Sequence, residues 1–212
     1  MDRRELLKTI AVLTGASFVG GTAFLSGCKT GNRHSITFTD KEIAFLDEVA
    51  DTILPDTPGS PGAKAAKTGE YIKNMVIDCY EPADQDIFMK GIEELDAACK
   101  KKNSKGFMEC TPEQRTALLL ELDKEAKAHQ AKKSEAYKPF EEKFKWMTPK
   151  ERRAETDKAK LPRDHYFTMM KQLSIAGYFS SEIGHYQARR HKPVPGGYNG
   201  CMPYKKGDKA WA

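Results

Sequence analysis

No stretch of this chain alternates apolar and polar residues as a half-buried strand requires, so the β fold classes find no support. No internal repeat is present. The histidines form no His-x-x-x-His or His-Glu-x-x-His pair, and no cysteines stand as Cys-x-x-Cys or Cys-x-x-Cys-His. Zinc, iron–sulfur and covalently attached haem therefore lack their usual ligand spacing. A Gly-x-Ser-x-Gly elbow and a glycine-rich phosphate loop are missing too, Gly20-Gly21 belonging to an N-terminal apolar run. Charge of one sign is also scarce. The 35 Lys and Arg stand against 30 Asp and Glu, a net charge of +5 spread over mixed stretches that gives no basis for nucleic-acid binding. The densest basic cluster, Lys100-Lys101-Lys102 with Lys105, reads as a solvated helix end.

What the chain does have begins at its N-terminus. Arg3, Arg4 and Lys8 precede an apolar run from Ile10 to Leu25, closed by Ser26, Gly27 and Cys28, the layout of a secretory signal. The run is shorter than the roughly 20 residues a bilayer-spanning helix needs, and glycines interrupt it. Leu25-Ser26-Gly27-Cys28 resembles the lipobox of bacterial lipoproteins, in which the cysteine is acylated and becomes the first mature residue. Arg3-Arg4-Glu5-Leu6-Leu7-Lys8 resembles the twin-arginine export motif, the alternative being an ordinary basic leader. The expected order is a signal over 1–28, a tether over 29–38 and a folded domain over 39–212. The expected location is lipid-anchored through Cys28 and periplasm-facing.

Beyond Cys28 four cysteines remain, Cys79, Cys99, Cys110 and Cys201. An even number in an oxidising compartment allows up to two disulfides in any of three connectivities, and buried free thiols are the other reading.

Helix signals dominate the mature chain. Thr39 and Glu42 make a capping box before Ile43, Leu46, Val49, Ala50 and Ile53 at helical spacing, and Pro55 through Gly62 form a constrained loop. A second helix is expected over about 65–80 and a third from Pro82. A fourth starts at Thr111-Pro112 and carries Leu118, Leu119 and Leu122. The highly charged stretch 124–160 reads as a surface helical excursion, restarted at Thr148-Pro149-Lys150-Glu151. A last helix runs from about Asp164 toward Gly177, before an irregular tail rich in proline and glycine. The expected fold class is all-α, a single bundle-like domain.

Few residues offer chemistry. His34 and His129 read as solvated, His165 as a helix-start residue, and His185 with His191 as the walls of a cleft. Asp47 and Asp51 lie one turn apart, a pairing that acid–base chemistry uses and that helix faces carry routinely. No catalytic, cofactor-binding or metal-binding residue is assigned.

Two segments carry a family likeness. The first is Phe45-Leu46-Asp47-Glu48-Val49-Ala50-Asp51-Thr52-Ile53-Leu54-Pro55, continuing through Thr57-Pro58-Gly59 to Ala63. The second is Lys171 to Gly184, leading to Pro193-Val194-Pro195-Gly196-Gly197-Tyr198-Asn199-Gly200-Cys201. Together they resemble the gluconate 2-dehydrogenase subunit 3 family, with 124–160 outside the likeness as an insertion. The resemblance implies a non-catalytic small subunit that supplies export, folding support and anchoring to a larger glucose-methanol-choline (GMC) type flavoprotein. FAD is then expected in that partner and not in this chain. The implied complex oxidises a sugar, as gluconate 2-dehydrogenase or glucoside 3-dehydrogenase systems do, and passes electrons to a cytochrome c or another acceptor.

A docking surface for that partner is expected at Tyr178, Phe179, Tyr198 and Tyr204, because aromatics on a stiffened backbone lose little entropy on binding. The competing reading packs Tyr178, Phe179 and Trp211 on the chain's own bundle. Two other functions compete with the subunit: a lipoprotein that captures a sugar or peptide, and a standalone metalloprotein using His165, His185 or His191.

Overall fold

The computed structural model describes residues 36–194, 196–197 and 199–211. Arg3, Arg4, Cys28, His34 and Tyr198 lie outside the described residues, as does most of the tether. Ile36 and Phe38, at the end of the tether stretch, pack on the core, Phe38 lying edge-on to Phe88 at 6.3 Å.

The fold is all-α. Among the described residues there are seven α-helices and no strand: α1 (Asp40–Ile53), α2 (Thr68–Cys79), α3 (Pro82–Asn103), α4 (Pro112–Tyr137), α5 (Glu141–Lys145), α6 (Pro149–Lys158) and α7 (Tyr166–Ser180). Short 3-10 turns lie at Phe107–Glu109 and Lys138–Phe140, and a π-helical turn at Ile183–Ala188. No described helix is long and apolar enough to cross a membrane.

Helix starts follow local chemistry. Thr39, Thr111 and Thr148 each accept a hydrogen bond from the backbone three residues on, and Glu42, Gln114 and Glu151 reach back to close the box. Lys100, Lys101 and Lys102 fill the last turn of α3, facing the negative end of its dipole.

The bundle is organised around α7. It packs against α1, α2, α3 and α4, and it buries Tyr166, Phe167, Met169, Met170, Leu173, Ser174, Gly177 and Tyr178. That set recurs at i, i+3, i+4, i+7 and i+8 and forms one broad face, while Gln172, Ile175 and Ala176 on the other side are exposed. Each large apolar side chain it hides contributes about 1.5–3 kcal/mol relative to exposure.

Two glycines let its neighbours come close. A Cβ at Gly91 of α3 would lie 2.3 Å from Tyr166 Cβ, and one at Gly177 would lie 2.6 Å from the Tyr71 ring of α2.

The charged stretch is helical and lies at the surface, as its composition suggests. α4 runs unbroken through its first part to Tyr137, about 39 Å in all. Its buried residues end at Ala126, and α5 and α6 bury none. Ion pairs hold this excursion instead, Lys143 to Glu155 at 2.6 Å, Arg153 to Glu81 at 2.5 Å, and Arg163 to Asp157 at 2.6 Å.

Candidate partner-binding surface

The loop after α1 and the end of α7 meet. The loop folds on itself, Thr57 and Ser60 exchanging backbone hydrogen bonds at 3.0 and 2.9 Å with Gly59 at φ 84°. Three carboxylates of α1 hold the chain between this loop and α2. The Asp51 carboxylate accepts from Lys64 N at 3.1 Å and the Asp47 carboxylate from Gly69 N at 2.7 Å, so α1 supplies the anion that the uncapped start of α2 lacks. Glu48 pairs with Lys64 at 2.7 Å and with Arg115 of α4.

Burial raises the Asp47 carboxyl above its ordinary value, against the Gly69 hydrogen bond and the Lys64 charge. Burial pushes Glu48 the same way, but Lys64 and Arg115 outweigh it and hold Glu48 below the usual range. The paired carboxylates seen in the sequence therefore serve the fold.

Against this loop lies Tyr178. Its hydroxyl reaches Pro61 O at 2.6 Å and Ser60 Oγ at 2.9 Å, and its ring closes a small apolar cluster with Ala50 and Ala63. At 3% exposure Tyr178 is an internal anchor, which corrects its place in the expected docking surface. The reason is that α7 continues to Ser180, past the expected end at Gly177, and carries the ring inward.

Phe179 stands perpendicular to Tyr178 and is covered by Arg189, whose guanidinium lies 4.9 Å above its ring. Arg189 also donates to Gly184 O at 3.3 Å and to Phe179 O, satisfying carbonyls around the π-helical turn.

The tail then returns on itself. Arg190 N donates to Ala210 O at 2.8 Å, Arg190 Nε donates to Lys209 O at 2.7 Å, and the guanidinium stacks 4.6 Å over Trp211. Lys209 Nζ donates to Gly59 O at 2.6 Å and to Gln187 O, fastening the tail's base to the α1 loop. These contacts are long-range, and only the aromatic content of the tail signalled them in the sequence. Above the fastening Tyr186, Val194, Met202, Tyr204 and Trp211 stand 46–77% exposed. Arg190, Lys192, Lys205, Lys206, Asp208 and Lys209 are their neighbours along the chain. The tail thus exposes large apolar side chains on a segment fastened at its base.

The four described histidines fall into two pairs. His165 Nδ1 accepts from Phe167 N at 3.2 Å and caps α7, as its helix-start position implied. Burial, with His129 second, lowers its pKa. His129 is not solvated as expected. It packs 5.7 Å from His165, and its Nδ1 is buried without a partner. His185 and His191 come together at 5.3 Å between ring centres, with Arg189 3.4 Å from His185 Nδ1. Among the described residues no group of three or more His, Cys, Asp or Glu is placed to hold a metal ion.

Of the cysteines, Cys79 and Cys201 are exposed and Cys99 and Cys110 buried.

The two segments that meet at Tyr178 and Pro61 are those that carry the family likeness, and a family model described as gluconate 2-dehydrogenase subunit 3 matches residues 40–196. The chain belongs to the gluconate 2-dehydrogenase subunit 3 family. The match takes in the stretch 124–160, which the sequence alone suggests is an insertion. No curated protein and no solved structure matches the chain. Membership makes this an accessory subunit whose partner is a dehydrogenase.

Proposed function

We propose that this subunit is the non-catalytic escort and membrane anchor of a periplasm-facing, FAD-dependent GMC-type sugar dehydrogenase. The leader exports it through the twin-arginine route, Cys28 carries the lipid, and the FAD resides in the large partner. The partner sits on the tail face formed by Tyr186, Val194, Met202, Tyr204 and Trp211. One observation supports this reading above others: the family's two signature segments are fastened together at Tyr178–Pro61, Lys209 ties the chain beyond them to Gly59, and the tail so held exposes Tyr204 and Trp211. Asp47, Glu48 and Asp51 are committed to holding the fold, which suits a subunit whose partner does the chemistry.

The test is purification of the native lipoprotein from cells that also make a neighbouring flavoprotein. Co-elution of a yellow, FAD-containing chain supports the reading. Elution alone and colourless defeats it.

A second reading, capture of a small sugar or peptide, has one observation in its favour. A cleft of about 550 Å³ opens between the start of α3, α4 and α6, lined by Tyr80, Tyr137, Arg152, Asp157 and Arg163. Such volumes suit small ligands. A sugar-induced rise in melting temperature of the isolated chain would favour it.

A further inference from the structure

Two thiols face each other inside the bundle. Cys99 lies near the end of α3 and Cys110 follows the short Phe107–Glu109 turn, and their Sγ atoms are 3.0 Å apart. Both are buried, at 0% and 5% exposure.

The backbone builds this meeting without help from the sulfurs. Ser104 ends α3 at φ 56° and reverses the chain. Phe107 N donates to the Asp96 carboxylate at 2.8 Å, while Arg115 Nε donates to Phe107 O at 2.9 Å. The Phe107 ring is fully buried, 5.2 Å from Phe45 of α1. The turn is thus pinned by α3, α4 and α1 at once. The remaining polar neighbours of the sulfurs are weak, Asn103 Nδ2 at 3.6 Å from Cys99 and Lys105 O at 3.8 Å from Cys110. A disulfide's bond length of about 2.05 Å lies within a small side-chain adjustment.

We propose that Cys99 and Cys110 form an intrachain disulfide, made by exchange with a thiol–disulfide donor of the exporting compartment, and that Cys79 and Cys201 stay free. One thiolate attacks a donor sulfur, breaking the donor's S–S bond and releasing one donor thiolate. The second thiolate attacks the mixed disulfide and releases the other. The chain gives up two protons and two electrons, and the donor disulfide is reduced to two thiols.

Burial raises the Cys99 thiol, with the adjacent Cys110 second, so the closed domain exchanges slowly. The bond therefore forms before the Phe107 turn seats, or when residues 103–107 open. The product staples the end of α3 to the start of α4. Export matters to this bond only as the supply of donor.

Trypsin separates the two cysteines, because cleavage after Lys90, Lys100, Lys105 and Arg115 places them in peptides 91–100 and 106–115. The mature chain from exporting cells is denatured, alkylated without reductant and digested. The expected product is one cross-linked pair of these peptides, lighter by two hydrogens than their sum and split by dithiothreitol, with Cys79 and Cys201 alkylated. In a second arm, the purified reduced chain is incubated with oxidised glutathione. Cross-linking there but not in the cellular sample upholds the pairing and counts against export. Alkylated Cys99 and Cys110 in both arms, or links to Cys79 or Cys201, overturn the pairing.

Dithiothreitol should also lower the Tm of the oxidised chain by on the order of 5–10 °C. It should leave the paired Cys99→Ser, Cys110→Ser variant unmoved.

Discussion

The Tyr178 hydroxyl donates to Pro61 O at 2.6 Å across 117 positions of sequence, joining the two halves of the family signature by one bond. Ser60 Oγ, 2.9 Å away, completes a three-group knot at the foot of the tail. The bond ties the loop after α1 to the end of α7.

Removing that hydroxyl should loosen the joint without emptying the cluster around it. Tyr178→Phe keeps the ring and leaves Pro61 O without its donor. The expected loss is about 1–2 kcal/mol, read as a lower urea midpoint with unchanged slope. An unchanged midpoint would mean that water replaces the bond at no cost.

Gly91 should resist the substitution that helix propensity favours. Alanine in an exposed helix interior gains about 1 kcal/mol over glycine. Here the new Cβ would lie 2.3 Å from Tyr166 Cβ, and overpacking of that kind costs about 1–3 kcal/mol. Gly91→Ala should therefore be net destabilising in a denaturant titration. A stabilised variant would show that α3 and α7 can move apart freely.

Two neighbouring carboxylates should give opposite pH dependence. Glu48 is held below its ordinary value, so its contribution is present above the unfolded value near 4.5 and is lost as pH falls through the folded one. Asp47 is raised above 3.8, chiefly by burial, so its ionised form opposes folding at neutral pH and acid relieves it. Glu48→Gln should flatten the acid limb of a stability–pH curve, and Asp47→Asn should steepen it. Matching curves for the two variants would refute the assignment.

The tail face carries the functional prediction. Tyr204→Ala should leave the Tm nearly unchanged, its side chain being 73% exposed, whereas Trp211→Ala also removes the stack on Arg190 and should cost about 0.5–1 kcal/mol. Each should weaken co-purification of the flavoprotein by about fivefold or more, as aromatic anchors do. Full retention of the partner by the double variant would move the interface elsewhere.

Export is tested at the leader. Arg3→Lys with Arg4→Lys should leave both subunits in the cytoplasm, assayed by fractionation and flavin content. Unchanged export would indicate the general secretory route and remove the reason for co-transport.

Some of this was legible in the sequence and some was not, for a physical reason. The boxes at Thr39, Thr111 and Thr148 could be read because capping is settled within four residues. The basic cluster at Lys100 to Lys102 and the cap at His165 were legible on the same ground. The length of α4 was not, because beyond Ala126 it buries nothing and so leaves no apolar period to follow. Nor could the meeting of His129 with His165, the inward turn of Tyr178 or the return of Trp211 to Arg190 be read locally. Each depends on where distant helices come to rest. Among the cysteines the sequence left three connectivities open, and the reversal at Ser104 is what brings Cys99 to Cys110.

The central position of α7 has a consequence for biosynthesis. The helix that packs against α1, α2, α3 and α4 is the last long one to be translated, so its seat stays vacant until Ser180 has cleared the ribosome. Until then α1 to α4 form an open shell with an exposed greasy interior, and a nascent chain in that condition is what cytoplasmic chaperones hold. A stop codon or frameshift before α7 would yield a polypeptide with intact early helices and no interior to close on, and such truncations should be cleared by proteolysis instead of accumulating as a smaller domain.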